Sequence, residues 1–152
     1  MRLLIVGNGG RASALALKLS EDSRITKMYF APGNATTEKL GENINETDIL
    51  ALRDFAIQHK VDLTIVGPEA PLLEGIVDEF KKVDLKVFGP SKKAASLEGS
   101  KSFSKKFMQT YGIKTAKAVI FDSYVEAKEY LQTQEFPLVI KASGLAGGKG
   151  VV

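Results

Sequence analysis

The chain begins with MRLLIVGNGGRA, residues 1–12, an apolar run that ends in a glycine-rich turn. Residues 3–6 are continuously apolar, as in a strand that is buried on both faces of a parallel sheet. Residues 7–12 satisfy the G-x-G-x-x-A form of the dinucleotide fingerprint. Leu15, Ala16 and Leu19 then recur at helical spacing. This opening predicts a strand, a tight turn and a helix whose free N–H groups can face an anion.

Short apolar runs and helical patterns continue to alternate along the chain. We expect strands at residues 3–6, 25–31, 62–66 and 86–88. Thr47 is expected to cap a helix, and two helical faces are predicted from spacing alone, namely Ile49, Leu52, Phe55 and Ala56, then Leu72, Leu73, Ile76, Val77 and Phe80. Such alternation predicts right-handed βαβ units and a doubly wound, parallel α/β sheet of the Rossmann-like type.

Each predicted strand ends in a turn that contains Gly, Pro or Asn. The turns begin at residues 7, 32, 67 and 89. In an open parallel sheet these turns all lie at the carboxyl edge, where α/β domains bind their ligands. The sequence therefore predicts a single ligand-binding surface at this edge of the sheet.

The pattern changes after about residue 90. Residues 94–111 predict one or two helices, with Gly99 as the break and Ser100 as a cap. A strand at 117–121, a helix that is capped by Ser123 and runs to about Thr133, and a strand at 136–141 are expected to follow. We place a first domain at residues 1–100 and the start of a second at 101–152.

A second glycine-rich loop, ASGLAGGKG, occupies residues 142–150. It is not a Walker loop, because Lys149 is followed by glycine and no hydroxyl is placed for magnesium. It is predicted to lie between two β-type segments, with Lys141 at the end of the first. A glycine-lined hairpin with two nearby cations is suited to closing over phosphates, although either lysine can also be an ordinary surface residue.

The first glycine turn has other interpretations besides a phosphate-binding turn. Dinucleotide binding in an oxidoreductase needs an acid at the end of the second strand, and that strand ends in Tyr29-Phe30-Ala31-Pro32. The turn can also serve packing only, or belong to a non-catalytic nucleotide-binding module.

Composition excludes other classes of protein. The 44% hydrophobic residues, the lack of a long apolar run and the lack of cysteine indicate a folded cytoplasmic protein without membrane span or disulfide. The net charge of +3 is spread along the chain, so no nucleic-acid surface is expected.

The motifs resemble the phosphoribosylamine–glycine ligase family of the ATP-grasp superfamily. They are GNGGR at 7–11, PGNA at 32–35, DLTIVGPEAPL at 62–72, FGP at 88–90, LEGSK at 97–101, and IKA with GLA and GKG at 140–150. The resemblance covers the whole chain, and VGPEAPL is its most specific string. It implies a Rossmann-like domain followed by the start of an ATP-grasp domain. It also implies ATP-dependent joining of glycine to phosphoribosylamine, with magnesium, in purine biosynthesis.

The resemblance also implies roles for individual residues. With the sheet-edge argument, it assigns phosphoribosylamine binding to Gly7, Asn8, Gly9, Gly10, Arg11, Pro32, Gly33, Asn34, Gly67, Pro68 and Glu69. Glu69 either accepts hydrogen bonds from ribose hydroxyls or serves as an N-terminal helix acid. Nucleotide binding is assigned to Lys101, Lys105, Lys141, Gly144, Gly147, Gly148, Lys149 and Gly150. We assign no catalytic residue and no metal-binding residue. His59, the single histidine, is assigned no function.

The chain departs from the family pattern at two places. Ala12-Ser13 stand where the family usually has Glu-His, and Ser143 stands where an aspartate is usual. A related ATP-grasp enzyme with another acceptor is disfavoured by the VGPEAPL string. The metal ligands and the glycine pocket are expected beyond Val152, so the isolated chain is expected to be inactive and its last ten or so residues poorly ordered. The parent enzyme is expected to be a monomer that binds only small molecules.

Overall fold

The central strand, β1 (Arg2–Gly7), is buried from its second residue onward. In the computed structural model, which describes residues 1–152, β1 pairs with β2 (Lys27–Pro32) and with β4 (Leu63–Val66). Two short edge strands, β3 (Glu42–Asn43) and β5 (Val87–Phe88), complete a five-stranded sheet of order β3-β2-β1-β4-β5. Every pairing is parallel, which confirms the predicted sheet.

The helices connect these strands and continue past them. They are α1 (Gly10–Ser20), α2 (Ile49–Gln58), α3 (Glu69–Glu74), α4 (Ile76–Lys81), α5 (Lys92–Gly99), α6 (Lys101–Thr110) and α7 (Tyr124–Gln132), with a short 3-10 turn at Thr37–Lys39. None of them is long and apolar enough to cross a membrane.

The sheet is covered by helices on both faces. Leu3 and Ile5 of β1 pack in one apolar cluster with α1. Leu4 and Val6, which point the opposite way, pack in a second cluster with α2 and α4. Burial on both faces explains why β1 reads as a continuous apolar run, and it confirms the doubly wound arrangement.

Three local details differ from the sequence predictions. The cap of α2 is Asp48, whose side chain accepts a hydrogen bond from the Ala51 N–H at 2.8 Å, and not Thr47. The single helical pattern at 72–80 is divided by Gly75, which adopts the left-handed conformation with φ of +102°. The edge strand β3 was not predicted, since its two residues carry no apolar alternation.

The chain divides into two compact units, Met1–Ala95 and Ser96–Val152, and the first contains the whole sheet. In the second unit Ser100 caps α6 and Ser123 caps α7, as predicted. The predicted strand at 117–121 is wrong, because the segment pairs with no other strand. At 136–141 only Lys141 forms a bridge, with Val151. An alternating pattern becomes a strand only where a neighbour completes its hydrogen bonds.

Candidate functional site

A cleft of about 320 Å³ opens at the carboxyl end of β1. It is lined by Gly7, Asn8, Gly9, Gly10, Arg11, Ala12, Gly67 and Pro68. The chain leaves β1 toward β2 on one side, whereas β4 lies on the other side, so the strand order reverses at this point. Ligands of open α/β sheets bind at such switch points.

Glycine at position 7 is required by the backbone and by the neighbouring turn. Gly7 has φ of +139°, and a Cβ there would lie 3.2 Å from Cδ of Pro68. By contrast, Cβ atoms on Gly9 and Gly10 would meet nothing within 4 Å. These two glycines therefore leave open space above the first turn of α1, where backbone N–H groups have no partner inside the helix.

Asn34 connects the turn after β2 to the turn after β1. Its Nδ2 donates to the Asn8 carbonyl and to Oγ of Ser13, both at 2.9 Å. Its Oδ1 accepts from the N–H groups of Thr36 and Thr37 at 2.8 and 3.2 Å. The two turns therefore form one hydrogen-bonded rim.

A buried polar group supports this rim from below. Oγ1 of Thr37 accepts from the Asn34 N–H at 2.7 Å, and its single proton faces two acceptors, the Asn34 carbonyl at 2.9 Å and Oδ1 of Asn43 at 2.7 Å. Nδ2 of Asn43 also donates to the Asn34 carbonyl at 2.9 Å. The side chain of Thr37 is fully buried, so these bonds hold the turn in one conformation.

Arg11 and Glu69 form an ion pair at the edge of the cleft. Nη2 of Arg11 lies 3.0 Å from both Oε1 and Oε2 of Glu69, the first residue of α3. The hydrogen bond from Arg11 holds the pKa of the Glu69 carboxyl below its ordinary value. The same bond raises the pKa of Arg11, so both side chains are charged at neutral pH.

Some of the predicted sheet-edge residues line the cleft, and the others lie beside it. Gly7 to Arg11, Gly67 and Pro68 line the cleft. Pro32, Gly33, Asn34 and Glu69 do not line it. Pro32 lies opposite Gly7 in the sheet, and Gly33 donates to the Gly7 carbonyl at 3.2 Å. Asn34 contacts Asn8, and Glu69 contacts Arg11. Ser13, Thr37 and Asn43 were missed as members of the site. Only Ser13 carried a signal in the sequence, as a departure from the family pattern.

The second glycine-rich loop is attached to the start of α6. Ser143 accepts a hydrogen bond from the Lys101 N–H at 2.8 Å through its carbonyl, and its Oγ donates to Oγ of Ser102 at 2.7 Å. Nζ of Lys101 donates to the Gly144 carbonyl at 3.1 Å. Ser143 thus fixes the beginning of the loop, a role that the sequence did not indicate.

The other predicted nucleotide-binding residues lie in or near this loop. Lys105 donates to Oγ1 of Thr115 and to the Ala116 carbonyl. Lys141 pairs with Val151, and Ala142 donates to the Gly150 carbonyl at 2.8 Å, so the loop is closed as a hairpin. Gly147 and Gly148 form its tip with positive φ, and the side chains of Lys141 and Lys149 are exposed. No group of three or more His, Asp or Glu residues could hold a metal ion.

The fold is an α/β domain of the kind that precedes an ATP-grasp domain, and its cleft lies at a strand switch point. Residues 1–98 match the family described as Phosphoribosylglycinamide synthetase, N domain, and residues 99–152 match its ATP-grasp (A) domain. The chain belongs to the phosphoribosylglycinamide synthetase family, also named phosphoribosylamine–glycine ligase, which confirms the resemblance.

Individual relatives agree with this assignment. The chain is 54% identical to phosphoribosylamine–glycine ligase of Caldanaerobacter subterraneus subsp. tengcongensis over 99% of its own length, and 51% identical to that of Clostridium acetobutylicum over 100%. It covers 37% of each of these relatives. A crystal structure of the ligase from Thermotoga maritima superposes with a TM-score of 0.76 at 33% identity, over 100% of this chain and 35% of that one.

Proposed function

We propose that this chain binds 5-phosphoribosylamine and contributes phosphate contacts for ATP in the synthesis of glycinamide ribonucleotide. The observation that carries the proposal is the cleft at the end of β1, which combines open glycines, the free N–H groups of α1 and one cation, Arg11. An anionic sugar phosphate is the ligand class that this combination suits. The family assignment supports the same reading.

The proposed reaction takes place in two steps. A carboxylate oxygen of glycine attacks the γ-phosphorus of ATP, so that glycyl phosphate forms and ADP leaves. The amine nitrogen of phosphoribosylamine then attacks the acyl carbon, the C–N bond forms, phosphate leaves and the amine loses a proton. Both steps depend on holding charged reactants in a fixed geometry, which is the contribution expected from the strand-tip turns.

The first unit is assigned the sugar phosphate. The turns at Gly7 to Arg11 and at Gly67–Pro68 surround its phosphate, and the turn at Pro32 to Asn34 keeps the first of them in place. Glu69, which is charged and near the mouth of the cleft, is assigned a ribose hydroxyl as its hydrogen-bond donor. A carboxylate is an acceptor only, so a sugar hydroxyl is a suitable partner.

The second unit is assigned the nucleotide phosphates. Lys101, Lys105, Lys141 and Lys149 supply positive charge, and Gly144, Gly147, Gly148 and Gly150 allow the backbone of the loop to approach an anion. Magnesium would neutralise the phosphates when bound. The chain has no group of three or more His, Asp or Glu residues that could hold it.

A nicotinamide oxidoreductase is not favoured by the site. The turn after β2 presents Asn34, whose amide is committed to Asn8, Ser13 and the 3-10 turn, instead of a carboxylate. The cytoplasmic location, the monomeric state and the absence of nucleic-acid and membrane partners stay predictions. The inactivity of the chain by itself also stays a prediction.

Calorimetry with ribose 5-phosphate, a stable analogue of phosphoribosylamine, tests the proposal. The chain is expected to bind ribose 5-phosphate and not NAD, and Arg11→Gln is expected to weaken the binding about tenfold or more. Arg53→Gln, on α2 and away from the cleft, is the matched control. Binding of NAD, or equal binding by the Arg11 and Arg53 variants, would contradict the assignment. Glycine-dependent release of ADP by the isolated chain would contradict its expected inactivity.

A further inference from the structure

Arg11 is the only charged side chain that lines the cleft, and its guanidinium group is already paired with Glu69. Its Nη2 contacts both carboxylate oxygens of Glu69 at 3.0 Å, although the two residues are 58 positions apart in the sequence. The cation that the cleft offers to a ligand is therefore shared with an acid of the protein itself. A ligand must compete with Glu69 for it.

The ion pair is open to solvent. The side chain of Arg11 is 65% exposed and that of Glu69 is 38% exposed. Exposed pairs contribute little to the free energy of folding, because water and salt screen them and long side chains lose entropy when held. The pair therefore separates at small cost, and it is better understood through what it does to an incoming anion than as a stabilising bridge.

The outcome of the competition depends on what else the ligand carries. A bare anion that takes Arg11 leaves the Glu69 carboxylate without a donor and beside a second negative charge, which opposes binding. A sugar phosphate brings hydroxyl groups as well, and a hydroxyl can donate to the released carboxylate. Both halves of the ion pair then find new partners.

We propose that Glu69 makes the cleft selective against small inorganic anions by holding Arg11, so that a ligand with both an anionic group and hydroxyl donors is preferred. Glu69 is in this sense a specificity-determining residue, independent of any part that it takes in the ligation. The inference rests on the proposed function, because it takes the cleft as the sugar-phosphate site.

Calorimetric titrations with inorganic phosphate and with ribose 5-phosphate test the inference. Glu69→Gln removes the negative charge while keeping the length of the side chain. Its affinity for inorganic phosphate is expected to rise about fivefold, the effect of removing one nearby like charge in a solvated site, and its affinity for ribose 5-phosphate is expected to fall. Glu69→Asp, which keeps the charge, is expected to retain the preference for the sugar phosphate.

Glu74→Gln is the matched control, since it removes an exposed acid from the other end of the same helix and is expected to change neither affinity. Circular dichroism confirms that each variant is folded. If the original chain and Arg11→Gln differ in binding ribose 5-phosphate but Glu69→Gln keeps the original ratio of the two affinities, this inference alone is overturned. If the original chain binds neither probe, the proposed function fails and the inference fails with it.

Discussion

Oγ of Ser13, the fourth residue of α1, lies 2.9 Å from Nδ2 of Asn34, in the turn that follows β2. Asn34 in turn holds the Asn8 carbonyl, also at 2.9 Å. Ser13 is therefore part of the hydrogen-bonded rim, and its hydroxyl helps to align the turn after β1 with the turn after β2.

Ser13→Ala is expected to weaken ribose 5-phosphate binding about threefold, and Asn34→Ala about tenfold. The first change removes only the contacts of Oγ of Ser13 with the Asn34 amide, whereas the second removes the bonds to Asn8, Ser13 and the 3-10 turn together. Calorimetry measures both effects. Ser20→Ala is the control, because Oγ of Ser20 bonds only the Leu17 carbonyl at the far end of α1. An equal effect of the Ser13 and Ser20 variants would contradict this role.

The titration of Glu69 is expected to depend on Arg11. The hydrogen bond and the charge of Arg11 lower the pKa of the carboxyl below its ordinary value of 4.5. The ion pair therefore stabilises the folded state fully at pH values above the unfolded-state pKa of Glu69. This stabilisation is lost as the pH falls through the lower, folded-state pKa. Carbon-detected NMR should find the Glu69 midpoint below 4.5. It should move up in Arg11→Gln and stay in place in Arg53→Gln.

Thr64→Val is expected to stabilise the chain by about 1 kcal/mol, since a buried hydroxyl without a partner is replaced by a methyl group of similar size. Oγ1 of Thr64 has no hydrogen-bond partner, and the residue is 1% exposed. Thr37→Val is the matched opposite case. It removes a buried hydroxyl that bonds Asn34 and Asn43, so a loss of about 1–3 kcal/mol is expected. Urea unfolding measures both, and a gain for the Thr37 variant would refute the reasoning.

Gly33→Ala is expected to destabilise the fold by about 2 kcal/mol or more. Gly33 has φ of +75°, which disfavours a side chain, and its Cβ would lie 2.8 Å from Oγ1 of the buried Thr37. Gly9→Ala is the control, because Gly9 has φ of −92° and open space around the added atom. Because Gly9 is the N-cap of α1, where alanine is less favourable than glycine, this variant should lose about 1 kcal/mol at most. Thermal unfolding of the two variants distinguishes the positions.

Amide hydrogen exchange rates are expected to differ between the two units, Met1–Ala95 and Ser96–Val152. The slowest amides are expected in β1, β2 and β4, whose side chains are largely buried. None of residues 96–152 is buried, so their amides are expected to exchange faster, and those at 142–152 fastest of all. Slow exchange at the bridge of Lys141 with Val151 would show that the predicted disorder of the last ten residues is wrong.

Much of the sheet could be predicted because its central strands are apolar on both faces. A continuous run such as residues 3–6 has few other interpretations when a glycine turn follows. The caps at Ser100 and Ser123 were equally visible. At α2 the sequence did not decide between Thr47 and Asp48 as the cap, because both residue types are good caps. In the structure the side chain of Glu46 accepts hydrogen bonds from both of their N–H groups.

What failed depends on partners that are distant in the sequence. β3 is a strand only because Glu42 and Asn43 pair with Tyr29 and Phe30 of β2. The turns of the site could be placed at one edge by topology, but the contact of Arg11 with Glu69 crosses 58 residues and has no local signature. Ser13, Thr37 and Asn43 were missed for the same reason, since hydrogen-bonded networks emerge only from the folded arrangement.

The two outermost strands of the sheet, β3 and β5, are each two residues long. An outer strand this brief leaves few backbone groups for a neighbouring chain to extend by hydrogen bonding. That restraint matters most at β5, where the side chain of Phe88 is 71% exposed. Short edge strands thus protect this apolar sheet against pairing with other chains into fibrils. The interior strands can then be as hydrophobic as a core on both faces requires.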